Sequence, residues 1–316
     1  MTFKNTDDAE AFESIAMARS EACPDTPVSA EELRDLDALR PKGLYRHTEL
    51  AFVDGKLAGY WSLLEEPAFA NRGELRFRIA VRPAHAGIGI EKRALNRALD
   101  LAKEARAKVV IAMERSTHPA AVEALLEKGF ELTHKDVVSR LNLKDFELDS
   151  WRPEIEQVQA SGVQIVCAQD LDAIDSDWPI RAYEMHIELM RCVPFVSEYT
   201  APPFERWLDK IRNPKLHDLD LTFYAIDGDR FVGETALFRL TNLKHLYLTG
   251  LTGVVASHRR RRIALALKLE AIRKAIADGA KVISTGNEEN NPIRKLNDRL
   301  GFRPWYEDLG FRRQLL

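Results

Sequence analysis

The stretch VVASHRRRRIALALKLEAIRKAIADGAKVISTG, residues 254–286, decides how this chain is read, because a version of it occurs twice. Laid without a gap over VRPAHAGIGIEKRALNRALDLAKEARAKVVIAM, residues 81–113, it sets His258 on His85, 173 residues apart (258 − 85). Lys281 falls on Lys108 at the same spacing, and so do the Asp-Gly pairs 227–228 and 54–55. Gly301-Phe302 answers Gly129-Phe130 after a one-residue deletion. A period this long marks a duplicated domain, not a solenoid.

Each copy mixes strands and helices. Residues 9–22 and 29–40 are helical by pattern, the second opened by a Ser29 cap with Glu32 three residues on. Apolar runs on either side of Asp54-Gly55 predict a hairpin, and residues 74–81 a strand. Ala94, Leu95, Ala98, Leu99 and Ala102 recur at helical spacing. A short strand over 108–113 precedes a helix that has Pro119 near its start and Gly129 past its end. The second copy repeats this with a strand over 163–168, helices through 170–212, and a hairpin over 221–238. A strand over 245–254, a helix on Leu265, Leu269, Ile272 and Ile276, a strand over 281–285 and a helix opened by Pro292 follow. Strand-like residues 302–316 close this second copy. The expected class is α/β, a mixed sheet in each of two domains, 1–148 and 162–316, with residues 149–161 as linker.

Composition narrows the function classes. The chain has 316 residues, a formal net charge of −3, 45% hydrophobic and 30% charged residues, which is the profile of a soluble globular protein. No apolar run approaches the roughly 18–20 residues of a membrane span, and the acidic start MTFKNTDDAEAF is unlike a signal peptide, so a cytoplasmic location is expected. Cys23, Cys167 and Cys192 form no close pair, which argues against a disulfide framework or a metal site. Arg259–Arg262 is the one dense basic run, but it is followed by mixed charge and the acidic NEEN, so nucleic acid is not the expected partner.

A strand, a short basic or glycine loop and a helix start form the general recipe for a phosphate site, since the first helical N–H groups are unpaired and the helix dipole favours an anion. Here each half resembles the GNAT acyltransferases, whose signature V-x-P-x-x-R-G-x-G-(I/L)-(G/A) lies between the fourth strand and third helix and wraps the pyrophosphate of acetyl-CoA. The resemblance covers nearly all of both halves. In the first, Val81, Pro83, His85, Gly87 and Gly89 fit, but Ala86 replaces the arginine and Glu91 the small residue. A carboxylate beside a pyrophosphate is repulsive by about 1–4 kcal/mol at ~4 Å. In the second, Arg259 and Ala264 fit, while Ala256 replaces the proline and Arg260 and Arg262 replace the glycines. Arginine is tolerated there if the backbone is right-handed, as at a helix start. The second half is therefore expected to bind acetyl-CoA through Val254, Val255, Arg259, Arg260, Arg261, Arg262, Ile263 and Ala264, and the first to be degenerate.

Downstream, Thr285, Asn287, Asn290, Asn297, Leu300, Gly301 and Phe302 follow the family's asparagine-rich ending. The resemblance adds Asn287, Asn290 and Asn297 to the cofactor set. Asn290 or Asn291 before Pro292 also suits a plain helix cap. The family's frequent acid, a tyrosine, falls at Asn297, which is left to bond the CoA sulfur or pantetheine arm. Direct transfer to an amine needs a general base, since an alkylamine is mostly protonated at neutral pH. Glu234 on the third strand is the first candidate, a solvated strand carboxylate the alternative. Glu184, His186 and Glu188 line the expected acceptor side or a solvated helix face, and His258 is structural. No Ser-His-Asp or Cys-His set is evident.

The resemblance implies an acetyl-CoA-dependent N-acetyltransferase that moves an acetyl group to a small-molecule amine in a ternary complex, as a monomer or homodimer without metal. The alternatives are a non-catalytic CoA-binding or ligand-sensing protein and a mycothiol-synthase-like acetyltransferase, whose R-G-x-G-x-G loop is missing here.

Overall fold

The computed structural model describes residues 1–6, 11–69 and 73–315. Ala9 and Glu10 of the first expected helix, and Leu316 of the closing segment, lie outside them. The chain divides into two compact units. Unit 1 comprises Met1–Val137, Phe195–Thr200 and Tyr306–Leu316, and unit 2 comprises Val138–Pro194 and Ala201–Trp305.

In chain order the first half forms β1 (Thr2–Asn5), α1 (Ala11–Ala22), α2 (Ala30–Ala38), β2 (Arg46–Val53), β3 (Lys56–Leu64), β4 (Glu74–Val81), α3 (Ile90–Glu104), β5 (Val109–Arg115), α4 (Pro119–Glu127) and β6 (Glu131–Asn142). The second forms α5 (Arg152–Ala160), β7 (Val163–Cys167), α6 (Ala168–Ile174), α7 (Trp178–Met190), α8 (Phe204–Ile211), β8 (Thr222–Asp227), β9 (Arg230–Leu240), β10 (Leu243–Val254), α9 (Ile263–Ala277), β11 (Val282–Glu288), α10 (Ile293–Leu300) and β12 (Arg303–Gln314). The expected mixed α/β sheets are present in both units. Ser29 Oγ accepts from Glu32 N at 3.0 Å, so the predicted cap on α2 forms.

Unit 1 orders its strands β1-β2-β3-β4-β5-β12, and β12 runs antiparallel to β5 from Asp308 opposite Arg115 to Gln314 opposite Val109. The closing segment thus completes the first unit's sheet, not the second's. Phe311, 1% exposed, packs with Trp61, Phe77 and Leu95, a burial worth roughly 1.5–3 kcal/mol. In unit 2 the order is β6-β11-β10-β9-β8-β7, with β6 contributing from Val138 onward. Leu141 and Leu143 accordingly join its core with Trp178, Tyr224 and Phe302. Alternation of apolar residues marks a strand but not its neighbour, which is why the exchange is invisible in the sequence.

Residues 149–161 are not a free linker. They form a tight turn and α5, whose Val158 is 2% exposed in the unit 2 core. The hairpin turns also differ by one residue: Asp54-Gly55 in unit 1, Gly228-Asp229 in unit 2, with Asp227 ending β8. Among the described residues no helix is long and apolar enough to cross a membrane.

Two irregularities shape the clefts. β4 pairs with β5 only over Glu74–Phe77, and β10 with β11 only over Leu246–Leu248, so beyond these points each pair of parallel strands has no ladder. Of β4 and β10, only β10 carries a bulge at its splay: Thr249 faces Leu237 and Thr252 faces Thr235, leaving Gly250 and Leu251 out of register. A Cβ on Gly250 would lie 2.5 Å from the Phe238 ring, so any larger residue there must displace that ring. The β3–β4 ladder has no such break.

Candidate active site

The arginine run links β10 to α9 through a short turn, Ala256–His258. Val255, 1% exposed, fixes the entry by donating its N–H to Val232 O at 2.9 Å. Arg260 has φ 62° and Arg262 φ 61°, the left-handed region also held by Gly87 (76°) and Gly89 (91°). The backbone here is therefore not right-handed, and the condition for painless replacement of glycine by arginine is not met. A non-glycine residue in that region costs roughly 1–2 kcal/mol. The loop keeps the course of a glycine loop and carries strain at two adjacent turns.

The four arginines divide into two pairs. Arg259 Nε donates to Val254 O at 3.1 Å, and Arg261 Nη1 meets Asp227 Oδ2 at 3.3 Å. His258 Nε2 lies 3.2 Å from the same Asp227 oxygen, which gives it the structural role expected of it. The side chains of Arg260 and Arg262 are exposed and make no hydrogen bond or ion pair with the described residues. No side chain caps α9, so the amides at its start, around Ile263 and Ala264, have no side-chain partner.

On the neighbouring strand, Glu234 is 6% exposed and stands between Tyr224 and Gly253 in the β8–β9–β10 register. His186 Nδ1 of α7 approaches Glu234 Oε1 to 2.6 Å, and its ring lies 5.8 Å from that of Trp207. Glu234 is thus a buried, partnered carboxylate, not a solvated one. Glu184 and Glu188 part company with His186: both are exposed and line an open groove of about 490 Å³ with Arg181, Asp227, Asp229 and Arg230.

Asn297 is 3% exposed and donates from Nδ2 to Asn287 Oδ1 at 2.7 Å, while its own Oδ1 is buried with no partner. Asn290 is exposed and held by Glu288, through its backbone N–H at 2.8 Å and Nδ2 at 3.0 Å. The N-cap position of α10 is Pro292, without a side-chain cap, and Asn291 supports the turn before it, its Oδ1 accepting from Ile293 N at 3.1 Å. Lys268 went unnoticed in the sequence although it interrupts the apolar stripe of α9. It is 4% exposed, its Nζ is 5.3 Å from the Phe302 ring centre, and burial lowers its pKa to about 8.

The equivalent loop in unit 1 is occupied by its own chain. Gly87 N donates to Glu91 Oε1 at 3.2 Å, and Glu91 is 5% exposed, so a carboxylate sits where the loop would take an anion. Tyr60 occupies the position of Glu234, opposite Ala80 as Glu234 is opposite Gly253. Unit 1 does assemble a cluster that sequence spacing hides: Cys23, Glu114 and His118, with Cys23 nearly a hundred residues from the other two. His118 Nδ1 is 2.6 Å from Glu114 Oε1, and Nε2 is 3.1 Å from Ala22 O and 4.0 Å from Cys23 Sγ. The Cys23 sulfur and the Glu114 carboxylate push the imidazole up to about 10 against the opposing effect of burial. With a proton on both nitrogens and both directed at acceptors, His118 is an ion-pair partner and not a base.

That shift sets a pH dependence. A histidine raised from 6.5 to about 10 on folding gives its full stabilisation below pH 6.5 and loses it as pH rises through 10. His118→Gln is expected to lower stability at pH 7 by on the order of 2–4 kcal/mol, with the difference from wild type closing by pH 10.5. Thermal unfolding across pH 6–10.5 checks this, and parallel curves would remove His118 from the account.

Residues 10–130 match the Acetyltransferase (GNAT) family. Solved structures share the fold across both halves. A GCN5-related N-acetyltransferase from Sphaerobacter thermophilus aligns with a TM-score of 0.71 at 18% identity, covering 99% of this chain and 95% of the other. A tandem GNAT protein from the clavulanic acid biosynthesis pathway aligns at 0.71 and 14% identity, covering 99% and 98%. A putative acetyltransferase from Pyrococcus horikoshii aligns at 0.57 and 13%, covering 99% and 90%. No curated protein matches the sequence significantly. Residues 10–130 are therefore similar to the acetyltransferase (GNAT) family, and over its whole length the chain shares the fold of these acetyltransferase structures, a tandem GNAT protein among them.

Proposed function

We propose that unit 2 is an acetyl-CoA-dependent N-acetyltransferase acting on a small-molecule amine by direct attack in a ternary complex. One observation carries the reading: the uncapped start of α9 with Arg260 and Arg262 unpaired, and the Glu234–His186 pair beside a bulged, splayed strand, occur together in unit 2. Unit 1 has Glu91 in its loop and Tyr60 in place of the base.

The residues present suit acetyl-CoA. The amides of Ile263 and Ala264 and the side chains of Arg260 and Arg262 would hold the pyrophosphate, with Arg259 and Arg261 fixing the loop from Val254 and Asp227. The edge of β10 from Thr249 to Val254, free of β11, offers backbone groups to an extended arm. Asn297, with its unpartnered Oδ1 and its bond to Asn287, would meet a donor on that arm. Bound there, acetyl-CoA supplies a thioester carbonyl for attack. Glu234 holds His186 by Nδ1, and the pair takes up the proton of the acceptor ammonium. The out-of-register amides at Gly250 and Leu251 suit an oxyanion. Glu184 and Glu188 in their groove favour a cationic acceptor.

Calorimetry with acetyl-CoA followed by thiol release against an amine panel tests the reading. Binding with turnover of at least one amine is expected, and no binding of acetyl-CoA or CoA would reject it. Binding without release across the panel would select a CoA-responsive sensor, the second reading, favoured by Asn297 where the family has a tyrosine acid.

A further inference from the structure

At the splay of β4 and β5, unit 1 holds an open cavity of about 320 Å³, room for a small metabolite. Its walls bring together Arg19 and Cys23 near the end of α1, Arg76 on β4, Arg115 and the Glu114–His118 pair on the β5 side, and Asp308 on β12. Most of these charges are accounted for within the fold. Arg115 donates to Asp25 Oδ1 and Thr26 Oγ1, both at 2.6 Å, and lies 4.3 Å over the Tyr306 ring. Glu114 belongs to His118.

Two guanidinium groups are left. Arg76 is 4.3 Å above the Phe69 ring, and its Nε is buried with no hydrogen-bond partner. The Arg19 side chain makes no hydrogen bond or ion pair with the described residues. Cys23 N donates to Arg19 O at 2.8 Å, so the two side chains are one helical turn apart on one face of α1, where neighbours meet. Burial raises the Asp308 carboxyl to about 6. That second carboxylate, ionised at neutral pH, disfavours a dianion, whereas one negative charge matches the unpaired arginines.

We infer that this cavity is a second small-molecule site, taking a monocarboxylate whose oxygens are held by Arg19 and Arg76 and whose other end lies against the Cys23 thiol. It is separate from the cofactor loop of its own unit, which Glu91 fills, and it does not depend on the reading of unit 2.

The thiol supplies the test, because it reports on whatever approaches it. Iodoacetate carries the carboxylate and iodoacetamide is its neutral counterpart, so their relative alkylation rates measure recognition of the anion. The full chain is treated with each at pH 7.5, and Cys23 and the exposed Cys192 are quantified by peptide mass spectrometry in the same sample. The iodoacetate-to-iodoacetamide ratio at Cys23 is expected to exceed that at Cys192 by about tenfold or more. Arg19→Gln and Arg76→Gln should each bring it toward the Cys192 value, with the iodoacetamide rate at Cys23 showing that the cavity is still formed. Propionate should slow iodoacetate at Cys23 more than inorganic phosphate does. Equal ratios at the two cysteines, ratios unmoved by both variants, or no alkylation of Cys23 while Cys192 reacts would each overturn the site. Stronger protection by phosphate than by propionate would overturn its assignment to a monocarboxylate.

Discussion

Glu234→Gln is expected to reduce kcat on the best amine by about 10²–10³-fold while leaving acetyl-CoA affinity within twofold of wild type. The side chain keeps its volume, so the packing against Tyr224 and Gly253 is preserved. What is lost is the charge that faces His186 Nδ1 at 2.6 Å. With a carboxylate there, Nδ1–H donates and Nε2 keeps its lone pair. A neutral amide neither enforces that tautomer nor stabilises the imidazolium once the ammonium proton arrives. His186→Asn, which leaves the carboxylate, separates the roles: a smaller loss than in Glu234→Gln makes Glu234 itself the base. Retention of wild-type kcat in both variants would end the assignment.

Replacing Arg260 and Arg262 together by glycine is expected to move stability and affinity in opposite directions. Both residues sit at φ near 60°, so relief of the left-handed strain should add roughly 1–2 kcal/mol in total, after the extra chain entropy of glycine is subtracted. The loop amides and the α9 terminus remain, but the two unpaired guanidinium groups do not. A charge-assisted hydrogen bond is worth about 1.5–3 kcal/mol, so Kd for acetyl-CoA should rise about tenfold to a hundredfold, with a weaker dependence on salt. Thermal unfolding and calorimetry read the two effects on one sample. A more stable protein with unchanged affinity would assign the grip to the backbone alone, and a less stable one would reject the strain.

Some of the site was legible and some was not, for definite reasons. Glu234 could be singled out because a carboxylate inside VGETAL is out of place in an apolar strand, but its partner His186 is on another element, and no spacing rule connects the two. Asn290 and Asn291 look alike in the sequence because both precede Pro292, and only the fold turns the first onto Glu288 and sets the second in the turn before α10, where neither is the N-cap. The Cys23–His118–Glu114 cluster left no trace in the sequence, since Cys23 lies far along the chain from the other two and only the fold brings them together. Lys268 does leave one, a lysine where the first copy has Leu95, but a single charge in a helix is ordinarily solvated and so gives no sign of burial.

By itself the sequence determined the duplication, the mixed strand and helix order of each copy, and the loop where a basic run replaces glycines. These are properties of periodicity and local turn chemistry, which are written residue by residue. Tertiary structure alone decided the rest. It put β12 into the sheet of the first unit and β6 into that of the second, because a strand's alternation names its buried face and leaves its hydrogen-bonding neighbour open. It held Arg260 and Arg262 in a left-handed backbone, because the ends of that loop are pinned by Val255 and by the packed helix at Ile263. It turned Glu91 onto its own loop and left the α9 terminus open, since a side chain's partner depends on which backbone groups the fold brings within reach.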